Sequence, residues 1–287
     1  MNEQVTVAAI AAAAQSGKVE ENLAVLGAAA KKAAAAGAEL VLFPELSATG
    51  FIPNHPTQDH TGWLRNVLRQ AWETAQPLDG PAVRGLIEIA TSAGVFLSAG
   101  LLENAGNILH NTHVLVGEGK LWGCWRKMHV PIFEMPVYSG GEAVRVIETP
   151  LGRIGANVCF DVFLPESTRL LGVENAELVL FPFAADPPPL TPDGWFRWAQ
   201  SPLQARCAEN AVFGIACNYN GHVEFAGVGQ RFAGGAAIIG PDGSPCSPIE
   251  EEMAIRTLRR ESLLEARSRF EYTYRFRRPE LYASLAR

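Results

Sequence analysis

Short apolar segments and helix-periodic segments take turns along this chain, and that alternation is the strongest constraint on its fold. VTVAAIA reads as a strand, and Lys18 to Ala36 as an Ala-rich helix with Leu23, Leu26 and Ala30 at helical spacing. Gly37 ends that helix, and Leu40 to Phe43 is a short strand stopped by Pro44. A second unit runs from Pro81 through the helical GLIEIATSAG to the strand VFLSAGLLE. In the middle of the chain NTHVLV, a GEGK turn and LWGCWRK read as strands, and AVRVIETP and GRIGANVCF flank Leu151-Gly152 as a hairpin. Beyond Cys159 come a helix from Glu166 to Leu171, the strand ELVLFPF, a Pro-rich loop from Asp186 to Pro192, a helix from Trp195 to Glu209, and the strands AVFGIACN and AAIIG. With no linker long enough to divide it, the chain reads as one α/β domain.

Charge and cysteine usage narrow the possible functions. A net charge of −6 with no Lys/Arg block leaves no footprint for a phosphate backbone, so nucleic acid is excluded as the expected partner. Five cysteines (Cys124, Cys159, Cys207, Cys217, Cys246), an odd number without CxxC spacing, argue against a disulfide framework and against a zinc site. His110 and His113 form an HxxH pair, but residues three apart on a strand point to opposite faces. The apolar run after Met-Asn-Glu-Gln follows an acid where a signal peptide carries basic residues, and it reads as a strand. No apolar stretch approaches the ~20 residues that span a bilayer. The expectation is a cytoplasmic protein with no membrane partner.

Three segments break the apolar pattern in the same way. LVLFPELSATGF places Glu45 where a strand ends, LWGCWRKMHVPIFE places Lys127 at another strand end with Glu134 seven residues on, and IGANVCFDVFLPE places Cys159 at a third. Strand ends along one edge of a sheet are where α/β sites assemble. Cys159 stands before a helix start, with Pro165 suited to its first turn, Glu166 to its positive end and Gly172 to its stop. A thiol at such a bend can project above the sheet as a nucleophile, or it can simply be a small buried residue. Taken singly, Glu45, Lys127 and Glu134 are equally ordinary surface or pairing residues.

Together, Phe43-Pro44-Glu45, Arg126-Lys127-Met128-His129 and Cys159-Phe160-Asp161 with Pro165-Glu166 resemble the signature of the nitrilase superfamily of carbon–nitrogen hydrolases, over Val5 to Pro248. Asn111-Thr112, Gly140-Gly141-Glu142, Arg206 with Glu209-Asn210, and Asn218 agree with it and are read as scaffold. The resemblance implies a four-layer α-β-β-α sandwich with two mixed sheets. It also implies Glu45 as general base, Lys127 and the backbone N–H of Phe160 as oxyanion donors, Cys159 as nucleophile and Glu134 as a second glutamate beside Lys127. The implied reaction is hydrolysis of a non-peptide C–N bond in a small amide through an acyl thioester with release of ammonia, without metal or organic cofactor. Pocket residues are expected at Phe183, Ala184 and Trp195, and specificity in loops such as Ile52 to Gly62 and Ala184 to Trp195.

Where this chain departs from parts of the superfamily, the expected substrate narrows. True nitrilases usually carry Trp-Glu after the cysteine, and this chain has Phe160-Asp161. Branches acting on amino-acid-derived carboxylates carry arginine just beyond, and this chain has Val162, Phe163 and Leu164, although Arg169 and Arg197 lie near in sequence. Neutral amides are therefore expected over N-carbamoyl amino acids. The alternatives are a carbamoyl hydrolase, an acyl transferase or a binding protein on the same scaffold. His129 would allow a Cys–His hydrolase, but no neighbour in sequence reads as an orienting partner for its ring. Residues 1–258 are expected to form the hydrolase domain. The Arg- and aromatic-rich residues 259–287 would form an extension packing at the interface of a homodimer or higher homo-oligomer.

Overall fold

A computed structural model describes residues 1–53, 59–225 and 227–286. In chain order the elements are β1 (Gln4–Ile10), α1 (Val19–Ala35), β2 (Leu40–Leu42), α2 (His60–Thr74), α3 (Pro81–Ala93), β3 (Phe96–Asn104), β4 (Leu109–Gly117) and β5 (Lys120–Arg126). There follow β6 (Ile147–Thr149), β7 (Gly152–Ala156), α4 (Pro165–Val173), β8 (Leu178–Pro182), α5 (Pro192–Asn210) and β9 (Phe213–Cys217). The last are β10 (Asn220–Phe225), β11 (Val228–Ala233), β12 (Ala236–Ile239), β13 (Met253–Arg259) and α6 (Arg260–Ser268).

Two mixed sheets result, one ordered β13-β1-β2-β3-β4-β5 and the other β12-β9-β8-β7-β6, with β10 and β11 as a separate hairpin. The centre of each is parallel: β1, β2 and β3 in the first, β7, β8 and β9 in the second. Alternation along each strand divides the apolar residues between two sides. Val5, Val7, Leu40 and Leu42 meet Ile154, Leu178, Leu180 and Ile215 between the sheets. Ala8 and Val41 face outward onto Leu26, Ala30 and Leu86 of α1 and α3, while Val179 and Phe181 face Leu171 of α4 and Leu203 of α5. Both faces of each sheet are covered, so the central strands are nearly continuous apolar runs. The four-layer α-β-β-α sandwich is thus built from three apolar seams.

Several elements differ from the sequence reading. α2 begins inside the expected loop Ile52 to Gly62, with Asp59 capping it by accepting from the Gly62 N–H, and it buries Trp63, Val67 and Ala71; residues 54–58 of that loop lie outside the described residues. β13 closes the first sheet by pairing antiparallel with β1, Gln4 opposite Arg259. Gly172 does not stop α4, which runs on to Val173. A Cβ at Gly172 would lie 2.7 Å from Asn210 Oδ1, so glycine there lets α4 and α5 approach closely. Leu263 of α6 packs into the seam between the sheets. Among the described residues no helix is long and apolar enough to cross a membrane.

Candidate active site

The parallel strands β2, β7 and β8 end on the same side, and the site lies just beyond their carboxyl ends, as in other open α/β sheets. Glu45 follows β2 and Pro44, Lys127 follows β5, Cys159 follows β7, and Ala184 follows β8. Glu45 can turn back over its sheet because β3 passes beneath it at Gly100. A Cβ at Gly100 would lie 2.9 Å from the Glu45 carbonyl carbon and closer still to Leu46 N.

Lys127 is fully buried between two carboxylates, with Nζ 2.7 Å from Glu45 Oε1 and 2.7 Å from Glu134 Oε2. Asn111 Nδ2 donates to the same Glu45 Oε1 at 2.6 Å, and the Ala184 N–H donates to Oε2 at 2.9 Å. With three donors fixed on it, the Glu45 carboxylate has one orientation available. Burial alone would lower the Lys127 pKa, but Glu134 and Glu45 outweigh it and hold the amine well above its ordinary value. Burial raises the Glu134 carboxyl against the pull of Lys127, and Tyr138 hydrogen-bonds it.

Cys159 opens a short 3-10 turn, Cys159–Phe163, with φ of +49°, an uncommon conformation for a residue with a side chain. Burial, then the charge of Glu45, push its thiol pKa well above the ordinary value, although Lys127 pulls the other way. Burial and Glu45 both favour the protonated thiol over the thiolate. The N–H of Phe160, in the first turn, has no acceptor within its own helix.

Over the sulfur opens a cavity of about 650 Å³ lined by Cys159, Phe160, Glu134, Ala184, Ala185, Asp186 and Gln230, with Pro131, Phe133, Pro187, Pro188 and Trp198 as an apolar wall. No Lys or Arg lines it among the described residues. Asn218 holds the Ala184–Ala185 floor by pairing with both the N–H and the C=O of Ala185 at 2.9 Å.

Glu45, Lys127, Glu134, Cys159 and Ala184 thus come together beyond the strand ends. Phe183 and Trp195 do not line the cavity. Both are fully buried, their rings packed edge-on with centroids 5.6 Å apart, because that side of α5 faces the second sheet. Trp198, one turn further along α5, supplies the aromatic wall instead, backed by Phe163 and Phe183. Arg169 lies away from the cavity, against Glu209 and Tyr274, and Arg197 is exposed and does not line it either.

Sequence reasoning missed that Asn111 touches Glu45 and that Tyr138 supports Glu134. It also found no partner for His129, whereas His129 Nδ1 lies 2.9 Å from Asp161 Oδ1. The spacing of four between Glu134 and Tyr138 was a usable signal; the other two pairs span 66 and 32 residues and had none.

Fold and site together define the class, an α-β-β-α sandwich whose strand ends bring a buried acid, amine and thiol together beside one cavity. A sequence profile of the carbon-nitrogen hydrolase family matches residues 6–268. The chain belongs to that family, within the nitrilase superfamily, and is a hydrolase of carbon–nitrogen bonds. A nitrilase of Pyrococcus abyssi is 29% identical over 78% of each chain. An N-carbamoylputrescine amidase of Solanum lycopersicum is 26% identical over 99% of this chain and 95% of its own. The fold is shared with an amidase of Nesterenkonia AN1 from the nitrilase superfamily, at TM-score 0.77 and 24% identity over 98% of this chain and 97% of that one.

Proposed function

We propose that the protein hydrolyses small neutral amides with an apolar body, using Cys159, Glu45, Lys127 and Glu134. The carrying observation is the Glu45–Lys127–Glu134 cluster, with both 2.7 Å contacts buried, beside a thiol at the base of an open cavity. Glu45 takes the proton of Cys159 as sulfur attacks the amide carbonyl. Lys127 Nζ and the Phe160 N–H stabilise the oxyanion, where preorganised donors are worth ~3 kcal/mol or more each. Collapse of the tetrahedral intermediate breaks the C–N bond, and Glu45 returns its proton to the departing ammonia. Glu45 then takes a proton from water, which cleaves the acyl thioester to a carboxylic acid and restores the thiol. Glu134 keeps Lys127 oriented through both halves.

The cavity wall supports the substrate class. An acyl group would lie against Phe133, Phe160, Pro188 and Trp198, and a substrate carboxylate would meet Glu134 and Asp186 without a lining cation among the described residues. N-carbamoyl compounds are the second reading, favoured by the resemblance to the carbamoylputrescine amidase.

Two measurements test this. Cys159→Ala should abolish ammonia release across an amide panel while keeping the fold, and a slow substrate should add mass at Cys159 in the wild type. Activity in the alanine variant, or labelling at Cys207 or Cys217, would end the mechanism. For the substrate class, kcat/KM for a neutral amide should exceed that of its carboxylate-bearing analogue; a tenfold preference for the acid would overturn the apolar-wall argument.

A further inference from the structure

The nucleophile and the oxyanion cation belong to different sheets, and one buried side chain outside the reacting set joins the segments that carry them. Asp161, in the turn that begins at Cys159, uses both carboxylate oxygens. Oδ2 accepts from Val158 N at 3.0 Å and from Met128 N at 3.3 Å. Oδ1 accepts from His129 N at 2.8 Å and from His129 Nδ1 at 2.9 Å. Val158 precedes the nucleophile and Met128 follows the cation. Among the described residues, the hydrogen bonds between segments 126–130 and 157–163 all end on Asp161.

Neither segment would hold this geometry alone. Cys159 sits at positive φ, a conformation that persists only where its surroundings over-determine it. The Asp161–Val158 bond closes that bend from within. Lys127 is tied to its own sheet, its N–H donating to Asn111 O at 2.8 Å and its C=O accepting from Gly141 N at 2.8 Å. Past Lys127 the chain leaves β5, and the next two backbone N–H groups, of Met128 and His129, both go to Asp161. A carboxylate with four donors has its lone-pair sites filled, so it acts as a rigid node rather than a mobile acceptor.

We infer that Asp161 is a positioning residue which sets the placement of Cys159 Sγ relative to Lys127 Nζ, with the His129 ring as its fourth, adjustable donor. This rests on the roles given above to Cys159 and Lys127. The cation must meet the developing oxyanion, not the resting amide, and a displacement of about 1 Å can cost ~10²-fold in rate.

The test is Asp161→Asn, which keeps the volume but turns an NH2 group toward backbone N–H donors. Ammonia release from the best neutral amide of the panel is measured per Cys159 thiol that iodoacetamide can label. The expected result is a fall in kcat of thirtyfold or more with KM within threefold. The labelling rate of Cys159 itself should fall about tenfold at pH 8. His129→Leu, which removes only the ring donor, should lose less, and His129→Asn should recover part of that loss by restoring an N–H.

A role in folding alone would lower the number of competent thiols and leave kcat per thiol unchanged, and that outcome overturns the inference. If Asp161→Asn does not fold, His129→Leu decides, since kcat per thiol and labelling rate both within threefold of wild type would likewise overturn it. The labelling rate needs no substrate, so it separates failure of this inference from failure of the amide-hydrolase reading, which Cys159→Ala tests.

Discussion

The backbone N–H of Ala184 donates to Glu45 Oε2 across 2.9 Å, and that bond runs from the end of β8 in one sheet to the end of β2 in the other. Glu45 is held from its own sheet by Asn111 and Lys127 through the other oxygen. The proposed base is thus pinned across the interface between the sheets. The cavity floor and the base move together, because Ala184 belongs to both.

Glu45 and Lys127 should fail in different ways. Glu45→Gln keeps size but cannot accept a proton, so acylation and thioester hydrolysis should both slow by about 10²–10⁴-fold, read in single-turnover ammonia release and acid formation. Lys127→Met should chiefly slow acylation, and it strands two buried carboxylates. Removing one partner of a buried ion pair costs about 3–5 kcal/mol, so its denaturation midpoint should drop clearly. Wild-type kcat/KM in either variant would remove that residue from the mechanism.

The thiol should behave as a raised one. Burial and Glu45 hold Cys159 above the ordinary thiol range, so its thiolate fraction grows as pH rises. Alkylation by iodoacetamide should accelerate continuously from pH 7 to pH 9.5. A plateau near neutrality would reveal a standing thiolate and contradict the need for Glu45 as base.

Acid should destabilise the fold through His113. Its ring is fully buried on β4 with no hydrogen-bond partner for either ring nitrogen among the described residues, and burial pushes its pKa down to about 3. Near 6.5 the unfolded chain takes the proton and the folded one does not. Stability is therefore complete above pH 6.5 and falls by ~1.4 kcal/mol per unit between there and about pH 3. Between pH 7 and pH 5, His113→Gln should lose about 2 kcal/mol less than wild type in chemical denaturation. Equal losses would show that the ring is not the acid-sensitive group.

Gly100→Ala should cost activity beyond its effect on stability. The added methyl would strike the Glu45–Leu46 backbone, which has no room to retreat between β3 and the buried ion pair. Thermal unfolding should fall modestly, and kcat should drop at least tenfold because Glu45 moves. Ala99→Gly, one residue away on the same strand, serves as a control for the stability loss alone.

The interface role expected for residues 259–287 concentrates beyond α6, since Leu263 and Ala266 are already buried within the chain. Phe270, Phe276, Leu281 and Leu285 are exposed, and a stretch this apolar calls for a cover. We propose that a second copy provides it. A chain ending at Ser268 should sediment with fewer subunits per particle than the full chain at the same concentration; an unchanged number of subunits would refute this.

The amino-acid sequence alone determined the α/β alternation, the bend at Cys159 and the placement of Glu45, Lys127 and Cys159 at strand ends. Each of those is a local property, carried by periodicity, by Pro and Gly, or by a polar residue closing an apolar run. Trp195 and Trp198 stand one helical turn apart on α5, and only their packing decides that the first is core and the second cavity wall. The Asn111–Glu45 contact, the closure of the first sheet by β13, and the four donors on Asp161 join residues from distant segments. No spacing encodes such contacts, because they exist only once two sheets have packed face to face and fixed the offset between their strand ends.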